Sequence, residues 1–197
     1  IQGAAGYTYN PSSWLTGMQY NGIYVLHNYT GSIGTSSNYT SRTLTHEVGH
    51  WLNLSHTWGP NNNPGNQASC SDDDYVSDTP NTKGVTSCNL SESSCGVLAN
   101  VENYMDYSYC SKMFTAGQRT RMRAALTSSI AGRSNLWKTA NLNSTGTNGS
   151  PSICKADFSV ESKVVCTGTS VSFTDDSYHD PTSWSWTFQG GSPASSS

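Results

Sequence analysis

The chain has 197 residues, with 10 Lys and Arg against 13 Asp and Glu, for a formal net charge of -3; that is enough for one good-sized domain, or one domain with a small module. The mild acidity argues against a nucleic-acid binder, which needs excess Lys and Arg to displace counterions, and no apolar run reaches the roughly 18 residues of a membrane span. Charged residues make up only 12%, while Ser (33), Thr (22) and Asn (17) fill their place, a composition suited to an extracellular protein rich in sheet and loop.

The chain opens Ile1-Gln2-Gly3 with neither Met nor a visible signal peptide, and reads as a processed or excised piece. Ala5-Gly6-Tyr7-Thr8-Tyr9 is a strand candidate ended by Asn10-Pro11, and Gly22-Ile23-Tyr24-Val25-Leu26-His27 reads as a short, mostly buried strand. A Gly/Ser/Thr/Asn loop runs from Thr30 to Thr40. A helix then opens at Ser41, with Leu44, Val48 and Trp51/Leu52 at helical spacing. A second helix is signalled by Thr115-Ala116-Gly117-Gln118, the Thr-x-x-Gln form of a capping box, with Met122, Ala125, Leu126 and Ile130 lining one face behind it. Arg119, Arg121 and Arg123 lie two apart, do not share a helical face, and read as solvated surface.

From Asn141 to Ser152 the composition is that of a flexible linker. Beyond it Val171 and Phe173, then Trp184, Trp186 and Phe188, alternate with polar residues as half-buried strands of a sandwich do. About 45 residues is short for a sandwich of roughly 7 strands. The expected division is a main domain over 1–142, a linker over 143–152 and a partial all-β sandwich over 153–197.

Six cysteines stand at 70, 88, 95, 110, 154 and 166, with no CxxC pair, which counts against a zinc ribbon or a thioredoxin-type motif. Disulfides, and with them a secreted or periplasmic address, are the expected state; unpaired buried thiols are the other reading. Crosslinks between Cys70 and Cys110 would hold a loop dense in Asn, Asp, Ser and Pro, and sequence alone leaves three pairings of those four cysteines.

The stretch His46-Glu47-Val48-Gly49-His50-Trp51-Leu52-Asn53-Leu54-Ser55-His56 carries the chemistry. On a helix, His46 and His50 are one turn apart and point the same way, so both can grip one Zn²⁺ at about 2.0–2.1 Å. Glu47 lies beside them, placed to reach a water at the metal rather than the metal itself. His56 cannot share that helical face. The chain must turn sharply after Leu52, and Asn53 tolerates the left-handed backbone such a turn needs. Three histidines with a fourth position open make a catalytic rather than a structural zinc arrangement. His27 and His179 read as plain strand or loop histidines.

This motif, followed by a Met-turn, resembles the metzincin metallopeptidases, where Gly usually stands at the position of Asn53. The fuller string from His46 to Trp58 resembles the pappalysin family, in particular its secreted bacterial members. Arg42-Thr43-Leu44-Thr45, Asp74-Tyr75-Val76-Ser77-Asp78-Thr79-Pro80, Asn103-Tyr104-Met105-Asp106-Tyr107 and Phe114-Thr115-Ala116-Gly117-Gln118 with Arg121-Met122 extend the likeness over about residues 5–137. The resemblance implies an α+β fold with a twisted mixed sheet, an active-site helix, a Met-turn and a C-terminal helix. It implies zinc held by His46, His50 and His56, Glu47 as general base, Met105 as an apolar floor beneath the metal, and Tyr107 as stabiliser of the oxyanion. It also implies crossed bridges Cys70–Cys95 and Cys88–Cys110, with Cys154–Cys166 in the second module.

Relatives of this kind carry acidic residues before the cysteine that follows the Met-turn, where this chain has Tyr109-Cys110; a preference for Arg or Lys after the scissile bond is therefore not carried over. A full domain of the type also has more sheet and a helix ahead of Ala5. The second module resembles the start of a PKD-type sandwich.

Asp72, Asp73, Asp74 and Asp78 form an acidic patch. Hard carboxylates favour Ca²⁺, which makes Asp73, Asp74 and Asp78 candidate calcium ligands; a solvated acidic loop is the other reading, since the spacing is not that of an EF-hand. The expectation is a secreted zinc endopeptidase acting on protein or peptide substrates. Two rivals stand beside it: a non-catalytic adhesin or binding protein stabilised by zinc on a protease-like scaffold, and a piece active only within a longer chain.

Overall fold

The computed structural model describes residues 3–149, 156–162, 164–177 and 181–196, which group into two compact units, Ile1–Leu136 and Trp137–Ser197. The first unit begins with strands β1 (Gly6–Thr8) and β2 (Ile23–Val25), paired antiparallel with Gly6 opposite Val25 and Tyr7 opposite Tyr24. Both lie inside the expected strand segments. Tyr7 and Tyr24 stack with ring centroids 4.9 Å apart, a cross-strand pair of the kind that stabilises a ladder. Among the described residues no third strand joins them, so in place of the expected twisted mixed sheet there is a ribbon. A lone ribbon is marginal in water; here helix α1 (Thr43–Trp51) packs across it.

The buried side of α1 differs from the expected one. Apolar spacing put Leu44, Val48 and Trp51 inward, yet Leu44 is exposed and the buried residues are His46, Glu47 and Gly49. The cause lies at Gly49. A Cβ there would collide with Met105 Sδ and lie 3.4 Å from the Phe114 ring, so the closest approach to the rest of the unit is on the histidine side. Burial of the His46 ring is tolerable because its Nδ1 is paired with the Tyr104 carbonyl.

Helix α2 (Ala116–Thr127) starts with the capping box intact: the Thr115 hydroxyl accepts from Gln118 N at 3.1 Å, and Gln118 Oε1 accepts from Thr115 N at 2.9 Å. Arg121 is not the solvated residue its spacing suggested. Its Nε donates to the Asn53 carbonyl at 2.7 Å and its Nη1 to the Asp74 carbonyl at 3.1 Å, because this one of the three arginines faces the turn that ends α1. A further arginine, Arg133 in the kinked turn Ile130–Asn135, is buried. Its Nε donates to the Trp51 carbonyl at 2.9 Å and its guanidinium lies 3.5 Å over the Trp51 ring, so a cation closes the C-terminal end of α1.

The long stretch between the helices has little regular structure. It contains a 3-10 turn at Gln67–Ser71 and a hairpin of β3 (Ser93–Ser94) and β4 (Val97–Leu98), turning through Cys95 and Gly96 at φ 55° and 81°. Two interleaved disulfides hold it, Cys70–Cys95 and Cys88–Cys110, with Cα separations of 5.3 and 5.5 Å. Leu15, Leu54, Trp58, Val101 and Met105 form the most deeply buried apolar set.

The second unit contains helix α3 (Thr139–Thr145), which extends into the stretch expected as linker, and two antiparallel ribbons, β5 (Phe158–Val160) with β6 (Phe173–Asp175) and β7 (Trp186–Thr187) with β8 (Ser195–Ser196). Phe158, Phe173 and Trp186 gather with ring centroids 5.7–6.0 Å apart. Cys166 is exposed and free; its expected partner Cys154, like His179, lies outside the described residues. No helix of the described residues is long and apolar enough to cross a membrane.

Candidate metal centre and active-site cleft

Helix α1 brings His46 and His50 to one face, and the chain then reverses through a Schellman turn. Asn53 N–H donates to the His50 carbonyl at 2.8 Å and Leu54 N–H to the Gly49 carbonyl at 2.9 Å, with Asn53 at φ 75°. This is the left-handed closing residue for which Gly and then Asn are suited. The reversal carries His56 back, so that one nitrogen from each of the three imidazoles lies within 4.8 Å of the others.

What prepares these rings for a metal is a set of backbone carbonyls. His46 Nδ1 lies 2.6 Å from the Tyr104 oxygen, His50 Nδ1 2.8 Å from that of Leu54, and His56 Nδ1 2.9 Å from that of Asn61. A carbonyl only accepts, so each Nδ1 carries the proton and each neutral ring turns an unprotonated Nε2 inward. His50 Nε2 and His56 Nε2 are 3.1 Å apart. Two lone pairs facing each other at that distance repel unless a cation lies between them, and two ligands of a tetrahedral zinc at about 2.05 Å stand roughly 3.3 Å apart. The donor set therefore fits zinc. Burial, reinforced by neighbouring imidazoles, pushes His46 down to about 3 and His56 to about 2, and burial lowers His50 too; the rings stay neutral and available as ligands.

Glu47 is buried beside them, and burial raises its carboxyl to about 7. Strand β1 passes so close that a Cβ on Gly6 would lie 3.0 Å from Glu47 Cγ and 3.1 Å from Oε1; any larger residue there would press on that carboxylate. Met105 is fully buried against Gly49 of α1, with its N–H held by Asn103 Oδ1 at 2.9 Å. The Tyr107 ring lies 5.4 Å from His46 and 4.9 Å from His56, and burial together with the Glu47 charge raises its phenol. Trp58 stacks flat on His56 at 4.3 Å and donates its Nε1 proton to the same Asn61 carbonyl. Gly6, Glu47, the three histidines and Tyr107 line a cleft of about 610 Å³.

Asp73, Asp74 and Asp78 do not join such a cluster. Asp74 is buried against Thr79 Oγ1 and Val76 N, Asp73 accepts from Tyr75 N, and Asp78 accepts from Thr115 Oγ1 at 2.7 Å and Gly117 N at 2.9 Å at the start of α2. The group of metal-capable side chains among the described residues is the three histidines. The carbonyls of Tyr104, Leu54 and Asn61 leave no mark in a side-chain pattern, and sequence reasoning missed them; the one available hint is the turn composition Gly59-Pro60-Asn61, three residues past the third histidine.

A mixed α/β unit with three inward-facing imidazoles from a helix and the turn behind it defines a mononuclear metal-site protein of metzincin-like build. The sequence profile of peptidase family M43, described as pregnancy-associated plasma protein-A, matches residues 2–127, and the chain belongs to that family. An extracellular metalloprotease of Neurospora crassa is 42% identical over 130 residues, covering 60% of this chain and 42% of that protein. Extracellular metalloprotease 1 of Coccidioides posadasii is 39% identical over 132 residues, covering 62% and 45%. Among solved structures, mature mirolysin of Tannerella forsythia in complex with a cleaved peptide superposes with a TM-score of 0.60 at 31% identity, over 72% of this chain and 54% of that one. The chain thus spans less than half the length of these two curated relatives.

Proposed function

We propose that the first unit is the catalytic part of a secreted zinc endopeptidase of pappalysin type, acting on protein or peptide chains. The observation that carries this reading is the set of three neutral imidazoles, each held by a carbonyl at Nδ1, converging beside the buried Glu47 in an open cleft. His46, His50 and His56 hold the zinc through Nε2. Zinc, when bound, polarises the scissile carbonyl and lowers the pKa of water towards ~7.

Glu47 takes the proton of the attacking water at its carboxylate and hands it to the departing amine; a carboxyl near pH 7 serves in both directions. Tyr107 donates a hydrogen bond to the carbonyl oxygen as charge develops there. Met105 is the apolar floor. The edge of β1 that is not paired with β2 aligns substrate backbone by strand addition. The two disulfides and the extracellular relatives support secretion. The second unit is a partial PKD-like sandwich, a reading supported by its two ribbons and their shared aromatic cluster.

Zinc content measured together with casein hydrolysis, with and without a chelator, tests the proposal. About one zinc per chain and chelator-sensitive cleavage is the expected result. One zinc without cleavage would instead favour a binding protein on the same scaffold.

A further inference from the structure

The cleft is poor in formal charge. Among the described residues lining it, the carboxylates are Glu47 and Asp106 and the one Lys or Arg is Arg42. Asp106 is 4% exposed, and its oxygens accept from Ser108 N, Val85 N and the Thr57 hydroxyl. Glu47 is the base. No carboxylate is left over to pair with a Lys or Arg side chain of a bound peptide.

Arg42 is in the opposite situation. It is the residue immediately before α1, one helical turn ahead of His46 and so on the same side of the helix. Its guanidinium makes two long contacts, Nη1 to the Asn38 carbonyl and to Ser41 Oγ, both at 3.4 Å. It forms no ion pair among the described residues, where the ion pair present joins Lys112 to Glu102. A guanidinium offers five donors in a planar fork matched to a carboxylate, and most of them are unused here. Tyr39, next to Asn38, meets Tyr109 edge-to-face at 5.0 Å, and both line the cleft with Arg42. A bound dication and Arg42 have the same sign, so the field in the cleft attracts acidic side chains and repels basic ones.

We infer that Arg42 is a specificity-determining residue that pairs with an acidic side chain of the substrate, so that the cleft selects Asp or Glu beside the scissile bond and rejects Lys and Arg. This inference rests on the peptidase reading, so its test reads binding apart from cleavage. The zinc-loaded Glu47→Ala chain would be titrated with labelled decapeptides in which one Glu, Gln, Phe or Lys is walked through a Gly/Ala/Ser background, and anisotropy recorded. At one register Glu should bind about tenfold to a hundredfold tighter than Gln, the range of a charge-assisted hydrogen bond, with Lys weakest. Adding Arg42→Gln should abolish that advantage and leave the Phe peptides unchanged, while Arg42→Lys should restore part of it. The Glu advantage should also shrink with added salt in the Arg42 chain, which tests the pairing even if the Gln variant misfolds. Equal binding of Glu and Lys, a Glu advantage that survives in a folded Arg42→Gln chain, or no binding at any register would overturn the inference. Failure of the unsubstituted chain to cleave casein, with the binding pattern intact, would instead strike the peptidase reading.

Discussion

Asn53 sets the position of the third histidine, because the chain reverses there at φ 75° and nowhere else between His50 and His56. Glycine adopts that backbone without strain, whereas a β-branched residue pays about 1–2 kcal/mol. Asn53→Gly should therefore retain zinc and stability, while Asn53→Val should lose about 1–2 kcal/mol in urea denaturation and bind zinc more weakly, as His56 leaves its place. A Val variant with native zinc affinity would mean that other contacts hold His56. Glu47 makes a different prediction, since it touches no ligand atom needed to keep the metal. Glu47→Gln should keep one zinc per chain and lose hydrolysis by about 10²–10⁴-fold, the usual worth of a positioned base. The turn at Asn53 and the place of Glu47 beside the histidines were legible in the sequence because side-chain type and spacing set both. Arg121 and Arg133 were not: each acts on a backbone carbonyl from a distant segment, Asn53 and Trp51, and no local pattern announces such a partner.

Between elements, the link that positions Met105 is a pair of amides. Asn103 Nδ2 donates to Gln118 Oε1 at 2.9 Å and Gln118 Nε2 to Asn103 Oδ1 at 3.1 Å, both side chains fully buried. Gln118 also caps α2, and Asn103 also holds Met105 N, so the Met-turn and α2 are one hydrogen-bonded piece. The capping box could be read from the Thr-x-x-Gln spacing; its coupling to Asn103, fifteen residues earlier, could not. Asn103→Ala strands buried donors and acceptors, and should cost about 1–3 kcal/mol. A double-mutant cycle with Gln118→Ala should show coupling, because the second loss removes the stranded group. The loop packed on this piece carries a pH signature. Burial raises the Asp74 carboxyl from 3.8 to about 6, so the folded state holds its proton more tightly than the unfolded chain. The resulting penalty is absent below about pH 4, grows as pH rises through 6, and is constant above. Asp74→Asn, which can still accept from Val76 N and Thr79, should therefore be more stable than the parent by up to about 3 kcal/mol at pH 7 and little more stable at pH 4. Equal differences at the two pH values would place the charge in solvent.

Among the described residues, the three candidate metal ligands, the two disulfides and the buried apolar core all belong to Ile1–Leu136. The same loop ties two of these together: Asn61, whose carbonyl orients His56, donates from its side chain to Ser69 Oγ at 3.0 Å, next to Cys70. Each bridge closes a loop of more than twenty residues and is worth about 3 kcal/mol by chain entropy. Among the described residues of the second unit none is buried and no disulfide or metal-capable cluster is found; small units that bury so little are marginal. Stability should therefore be unevenly distributed along the chain, and sensitive to zinc in one part only. At a thousandfold excess over its dissociation constant, a ligand adds about 4 kcal/mol to the state that binds it, which for a unit of this size is a shift in melting temperature on the order of 10 °C. Hydrogen exchange followed by mass spectrometry on the full chain can resolve where that shift falls. Amides of α1, of the Met-turn and of α2 should be protected with zinc and exchange markedly faster after chelation. Those of β5 to β8 should exchange rapidly under both conditions. Equal slowing of both units by zinc would show that the metal stabilises the chain as a single cooperative body, and the division at Leu136 would then have no thermodynamic meaning.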